Sequence, residues 1–112
     1  MKLITGWLTC RPGTRDEFLA RMKAPSEETR REPGCVFFEY HPHADKPDVV
    51  VLIEGFYDAA AHEAHRHTPH MAVMQAEVRR LLVKLRLCYA VTEESTWEEY
   101  DFVANPPGPW KP

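Results

Sequence analysis

Four histidines, His62, His65, His67 and His70, fall within nine consecutive residues of a chain that holds six. Imidazole titrates near neutral pH, so such a cluster can hold a metal ion or move protons. A zinc site needs three ligands converging at about 2 Å. His62-Glu63 opens like a metalloprotease helix, but that motif needs a second His four residues on, where this chain has Arg66. His62 and His65 can share a helical face, and His41 and His43 form a looser pair. No Cys or carboxylate completes a recognisable ligand set, so the expectation is no metal, with histidines exposed on helix and loop.

Proton transfer is the stronger reading of the same residues. Glu54 lies in the row Val50, Leu52, Glu54, Phe56, which shares one face of a strand by the period-two rule. An unpaired carboxylate in an apolar row is costly to bury and needs a partner or a task. His70 follows Thr68-Pro69, a helix-start signal, and the positive end of a helix suits a neutral imidazole that acts as base or donor. The plain structural alternative is that His65 and Glu54 satisfy each other, or the backbone, where sheet meets helix. Glu39 and His41 share a face of the preceding strand and read as a solvated or dimer-facing patch.

The elements that must position these groups follow from the pattern. Leu3–Cys10 alternates as a strand, and Arg11-Pro12-Gly13 ends it. Thr14 and Glu17 have capping-box spacing ahead of an apolar stripe of Phe18, Leu19 and Met22. Pro25 is expected to break or kink that helix, with one or two further turns over Ser26–Arg31 before Glu32-Pro33-Gly34 stops them. Cys35–His41 and Val49–Tyr57 are strands. Asp58 caps a short helix to about Arg66, Thr68-Pro69 restarts one, and Leu85–Val91 is a fourth strand. The order β-α-β-β-α-β is that of a ferredoxin-like α+β fold, in which helices cover one face of the sheet. Strands two and three are apolar on both faces, so the second face is expected to pair with another copy of the chain. Residues 1–92 form this domain. Residues 93–112, rich in acidic residues and Pro and carrying Trp97 and Trp110, form an extension expected to add a strand over 97–103 or to pack on a partner subunit.

Composition removes several functions. Lys plus Arg is 14 and Asp plus Glu is 17, a net charge of −3, with no basic excess for nucleic acid and no basic helix for a membrane surface. No apolar run approaches the roughly 20 residues of a membrane span. Met1–Trp7 reads directly as strand rather than as a signal peptide, and three cysteines without a CxxC read as reduced packing residues, so a cytoplasmic location is expected. Five isolated glycines build neither a phosphate loop nor a dinucleotide fingerprint.

Glu32-Pro33-Gly34-Cys35, Glu54-Gly55-Phe56, Ala64-His65 and Thr68-Pro69-His70, in this element order, resemble the antibiotic biosynthesis monooxygenase domain family over roughly residues 2–92. The resemblance implies a dimeric α+β barrel with a pocket between sheet and helices in each subunit. Family activities include cofactor-free oxygenation of quinols or aromatic polyketides, heme degradation and isomerisation of a phosphorylated dione signal. Alignment places Gly6, Phe56 and Gln75 where the heme-degrading branch has Asn, Trp and a His iron ligand, so heme degradation is not expected. His65 and His70 are the family-matched histidines near Glu54.

The combined reading is a cofactor-independent monooxygenase using molecular oxygen on a small quinol, polyphenol or polyketide-like aromatic substrate. Either His65 or His70 is the proton acceptor, helped by Glu54, in a cavity lined by Phe56, Tyr40, Trp7 and Met71. No metal, heme or flavin is expected. The alternatives are the dione isomerase, which needs cations for a phosphate such as Arg66 or Lys84, and a non-catalytic ligand-binding homodimer whose pocket Phe56 and Met71 would fill.

Overall fold

Alternation in the first strand decides what lies inside. In the computed structural model, which describes residues 1–93, Lys2–Cys10 (β1) buries Ile4, Leu8 and Cys10 and leaves Thr5 and Trp7 exposed on the opposite side. Arg15–Arg30 (α1), Cys35–Pro42 (β2), Val49–Phe56 (β3), Ala59–Arg66 (α2), Pro69–Leu81 (α3) and Leu82–Val91 (β4) follow. The strands form one antiparallel sheet in the order β2-β3-β1-β4, the ferredoxin-like α+β arrangement. Register aligns Glu54 with Ile4 on one side and with Phe38 on the other, so the even-numbered residues of β1, β2 and β3 share the helix-covered face. Phe18 and Met22 of α1, Met74 and Leu81 of α3, and Ile4, Leu8, Phe38, Val50, Leu52 and Phe56 of the sheet make the core.

Local signals set the helix starts. Asp58 accepts a hydrogen bond from the Ala61 amide at 2.8 Å, and the Thr68 hydroxyl accepts one from the Met71 amide at 3.2 Å with Pro69 at the first turn. Two expectations for α1 fail. Pro25 neither breaks nor ends the helix, which runs unbroken from Arg15 to Arg30. Proline in a helix interior costs about 3 kcal/mol; here Met22, Pro25, Ser26 and Thr29 are all buried, and their packing outweighs that cost. The Thr14–Glu17 capping box does not form either. The Thr14 hydroxyl donates to the Arg11 carbonyl at 2.8 Å, and Glu17 accepts from Arg80 at 2.9 Å instead.

The far face of the sheet carries Leu3, Trp7, Phe37, Val51 and Ile53, and no helix among the described residues covers it. No helix among the described residues is long and apolar enough to cross a membrane. The strand expected over 97–103 and the packing of the extension lie outside the described residues. Because the Asp58 cap starts the helix that carries His65, Asp58→Ala should lower stability by about 1 kcal/mol, read as an earlier urea midpoint with an unchanged m-value, and Asp58→Ser should recover most of the loss.

Candidate active site

A single carboxylate oxygen gathers three segments of the chain. Oε2 of Glu32, in the turn between α1 and β2, lies 2.8 Å from Nδ1 of His65 on α2 and 2.8 Å from Nε2 of His70 on α3. The turn can approach α2 this closely because residue 34 is glycine, where a Cβ would overlap the Cβ of Ala61. The Gly34 carbonyl then accepts from the Tyr57 amide at 3.0 Å, tying the turn to the end of β3. His65 is wholly buried, while Glu32 and His70 sit at the rim. Its ring lies against Phe56 and Phe38, with centroids at 5.1 and 5.7 Å.

This geometry fixes a tautomer. With Nδ1–H donated to Glu32, a neutral His65 ring carries its lone pair on Nε2, which sits 3.9 Å from Oε1 of Glu54. That separation is too long for a hydrogen bond. Burial first, and the Glu32 charge second, push the Glu54 carboxyl up to about 7, against a smaller opposing pull from Lys2. Glu54 therefore exchanges a proton near neutral pH, beside an imidazole nitrogen that has no hydrogen-bond partner among the described residues. Burial, and then Glu54, hold the Tyr40 phenol well above its ordinary range, so it stays protonated and bonds the Met74 sulfur at 3.9 Å. The Cys35 thiol is raised to about 11 by burial and nearby carboxylates, which fits a packing residue rather than a nucleophile.

Glu54 and His65 open onto a cavity of about 240 Å³ between the sheet and α3. Leu8, Phe38, Tyr40, Leu52, Met71 and Leu87 make it predominantly apolar. Of the residues expected from sequence, Glu54, His65, Tyr40 and Met71 line it. Phe56 does not: it is fully buried behind the rings of His62 and His65. Trp7 does not either, because period-two parity turns it to the uncovered face, where it lies among Thr9, His43, Lys84 and Arg86. Lys84, considered as a phosphate partner, is on that same far face. His70 does not line the cavity; it meets the site through Glu32 and through the His65 ring, 6.1 Å away between centroids.

Glu32 is the residue that sequence reasoning missed. The sequence shows it only within Glu32-Pro33-Gly34-Cys35, where a helix stop is a sufficient local explanation. It also corrects the expectation that no carboxylate completes a histidine set. Glu32, His65 and His70 offer ligand atoms within 4.8 Å of one another, the geometry in which a metal ion could be held. Ligands of a tetrahedral ion at about 2.05 Å stand roughly 3.3 Å apart. The two 2.8 Å contacts are shorter and match direct hydrogen bonds. Nor are the histidines mostly exposed, since both His62 and His65 are buried.

The profile of the antibiotic biosynthesis monooxygenase family matches residues 3–77. The chain belongs to this family. Among its relatives within and around it, Rv0793 of Mycobacterium tuberculosis, named as a monooxygenase, is 32% identical over 74 residues, covering 66% of this chain and 72% of that protein. The uncharacterised Synechocystis protein sll1783 is 24% identical over 82 residues, covering 73% of this chain and 56% of that protein. The solved structure of Rv0793 superposes with a TM-score of 0.77 at 25% identity over 86% of this chain and 98% of that one. A Nitrosomonas europaea structure named for antibiotic biosynthesis monooxygenases gives 0.78 at 20% identity, over 84% of this chain and all of that one, and shows the shared fold.

Ionising Glu54 in the folded protein is unfavourable, so the native state holds its proton to a higher pH than the unfolded chain does. Wild-type stability therefore falls as pH rises from about 4.5 toward 7 and is fully reduced above that. His62 acts in the opposite sense at lower pH: burial, then Lys2, lower it to about 4, so protonation below 6.5 destabilises the fold. Glu54→Gln removes only the first effect. Its stability relative to wild type should rise between pH 4.5 and 7.5 by at most about 3 kcal/mol, as 1.36 kcal/mol per unit implies, measured by urea unfolding across that range. A pH-independent difference would show that Glu54 is ionised in both states.

Proposed function

We propose that the protein is a cofactor-independent monooxygenase acting on a small hydroxylated aromatic molecule, with His65 as the proton acceptor. The observation that carries this is the bare Nε2 of His65 at the wall of an apolar cavity, with Glu32 holding the opposite nitrogen. A carboxylate behind one nitrogen orients the ring and stabilises the imidazolium formed when the other takes a proton. Size supports an aromatic ligand. A cavity of about 150 Å³ accommodates benzene, and this one, at about 240 Å³, has room for a second ring. The space is open rather than filled by Phe56 and Met71, which favours chemistry over a purely structural role.

In this reading His65 removes the acidic proton of a phenol or its keto tautomer. The resulting anion passes one electron to oxygen, and the radical pair combines to form a carbon–oxygen bond. Protonation of the peroxide, with loss of water and of the proton on that carbon, leaves a new carbonyl. One oxygen atom enters the product and the other leaves as water, with all four electrons supplied by the substrate. Tyr40 and the apolar lining keep bulk water from the anion, which strengthens each remaining hydrogen bond. Glu54 is placed to return the proton to the peroxide.

The test begins with an oxygen-electrode screen of quinols and polyphenols. With an active compound, His65→Ala should lower turnover by roughly 10²–10⁴, the range of a lost general base. Glu32→Gln should lower kcat and move its pH profile while leaving KM nearly unchanged. His70→Ala, which removes only a neighbour of that pair, should cost less than either. Oxygen uptake unchanged in His65→Ala removes the assignment, and turnover without oxygen uptake transfers the same base to isomerisation.

The working unit in this reading is a homodimer joined through the uncovered sheet face. Leu3, Phe37, Val51 and Ile53 make that face apolar, and Trp7 is 45% exposed on it. Light scattering at micromolar concentration should give about 26 kDa, twice the 13.0 kDa chain, and Ile53→Lys should halve it. A wild-type mass near 13 kDa would refute the pairing.

A further inference from the structure

Beside the cavity, across Glu54, Met71 and Leu87, lies a second hollow of about 350 Å³ that has no role in the proposed chemistry. Lys2, Ile4, His62, Arg66 and Tyr89 complete its lining. Two cations from distant parts of the chain therefore face one space next to the site. Lys2 makes no salt bridge among the described residues, and its ammonium lies 5.4 Å from the Tyr89 ring centroid. Arg66 spends one nitrogen on the exposed Glu63 at 3.2 Å, which leaves the rest of its fork free.

The floor of this hollow is unusual in a second way. His62 is buried, and its Nδ1 has no hydrogen-bond partner among the described residues. Burial first, and then the Lys2 charge, lower its pKa to about 4, with Glu63 pulling the other way. A buried polar nitrogen without a partner costs free energy unless a ligand or water meets it. Apolar space in one hollow and two cations lining the next describe a bipartite ligand.

We infer that Lys2 and Arg66 form an anion subsite, and that the substrate is an aromatic hydroxy acid. Its ring occupies the apolar cavity, its hydroxyl meets His65 and Glu54, and its carboxylate lies between Lys2 and Arg66. This rests on the cavity assignment above and adds the substituent that the ring must carry. Because Glu54 forms the boundary between the two hollows, the hydroxyl and the carboxylate belong on neighbouring carbons. The carboxylate also keeps Glu54 protonated, as a donor rather than a second negative charge.

Calorimetric titration of the full chain with 1-naphthol and with 1-hydroxy-2-naphthoate separates the two claims. The acid should bind at least about tenfold more tightly than the naphthol, and the preference should shrink with added salt. In the Lys2→Gln, Arg66→Gln double variant the preference should fall to within roughly twofold, while 1-naphthol binds as before and so reports an intact fold. Equal affinity for both compounds in the wild-type protein, or a preference that survives the double variant, overturns the anion subsite and leaves the cavity reading standing. Failure of both compounds to bind overturns both.

Discussion

The site depends on one shared acceptor, Oε2 of Glu32. Two imidazoles from different helices reach it at 2.8 Å each, and among the described residues they have no other carboxylate within hydrogen-bonding distance. Because His65 is fully buried, losing that oxygen would strand a ring nitrogen inside the core at a cost of about 1–3 kcal/mol. The carboxylate thus serves two purposes through one contact. It joins the α1–β2 turn to α2 and α3, and it decides which nitrogen of His65 is left bare toward the cavity.

The rest of the site is a matter of charge placement in an apolar wall. Two carboxylates stand on either side of the His65 ring, one hydrogen-bonded to it and one 3.9 Å away. Burial first, and the neighbouring Glu32 charge second, make Glu54 hold its proton into the neutral range. The same apolar surroundings that shift Glu54 keep Tyr40 neutral and Cys35 inert. Burial is thus the leading cause for all three side chains.

What was legible in the sequence divides along the same physical lines. Period-two and helical patterns are local, so the order of elements along the chain, the Asp58 and Thr68 caps and the shared face of Glu54 and Phe56 could all be read directly. The Glu32 contact could not, because it spans 33 and 38 residues and depends on Gly34 fitting against Ala61. Its sequence context, Glu-Pro-Gly after a helix, has a sufficient local explanation as a turn. Pro25 failed for the opposite reason: a strong local rule gave way to burial of its helix face. Trp7 and Phe56 show that strand parity finds the face but not the depth, since Phe56 lies on the correct side yet is sealed behind two histidine rings.

Thr68 sets the distance between the two histidines. Its hydroxyl donates to the His65 carbonyl at 2.8 Å and accepts from the Met71 amide at 3.2 Å, closing α2 and opening α3 with one atom. The step from His65 to His70 is thereby held at a fixed count of residues. Over evolutionary drift such a joint tolerates exchange of its neighbours far better than any change in its length: one residue inserted there would rotate His70 by about 100° around the new helix and carry it away from Glu32. The spacing, more than the identity of any intervening residue, is what lineages sharing this geometry have to inherit.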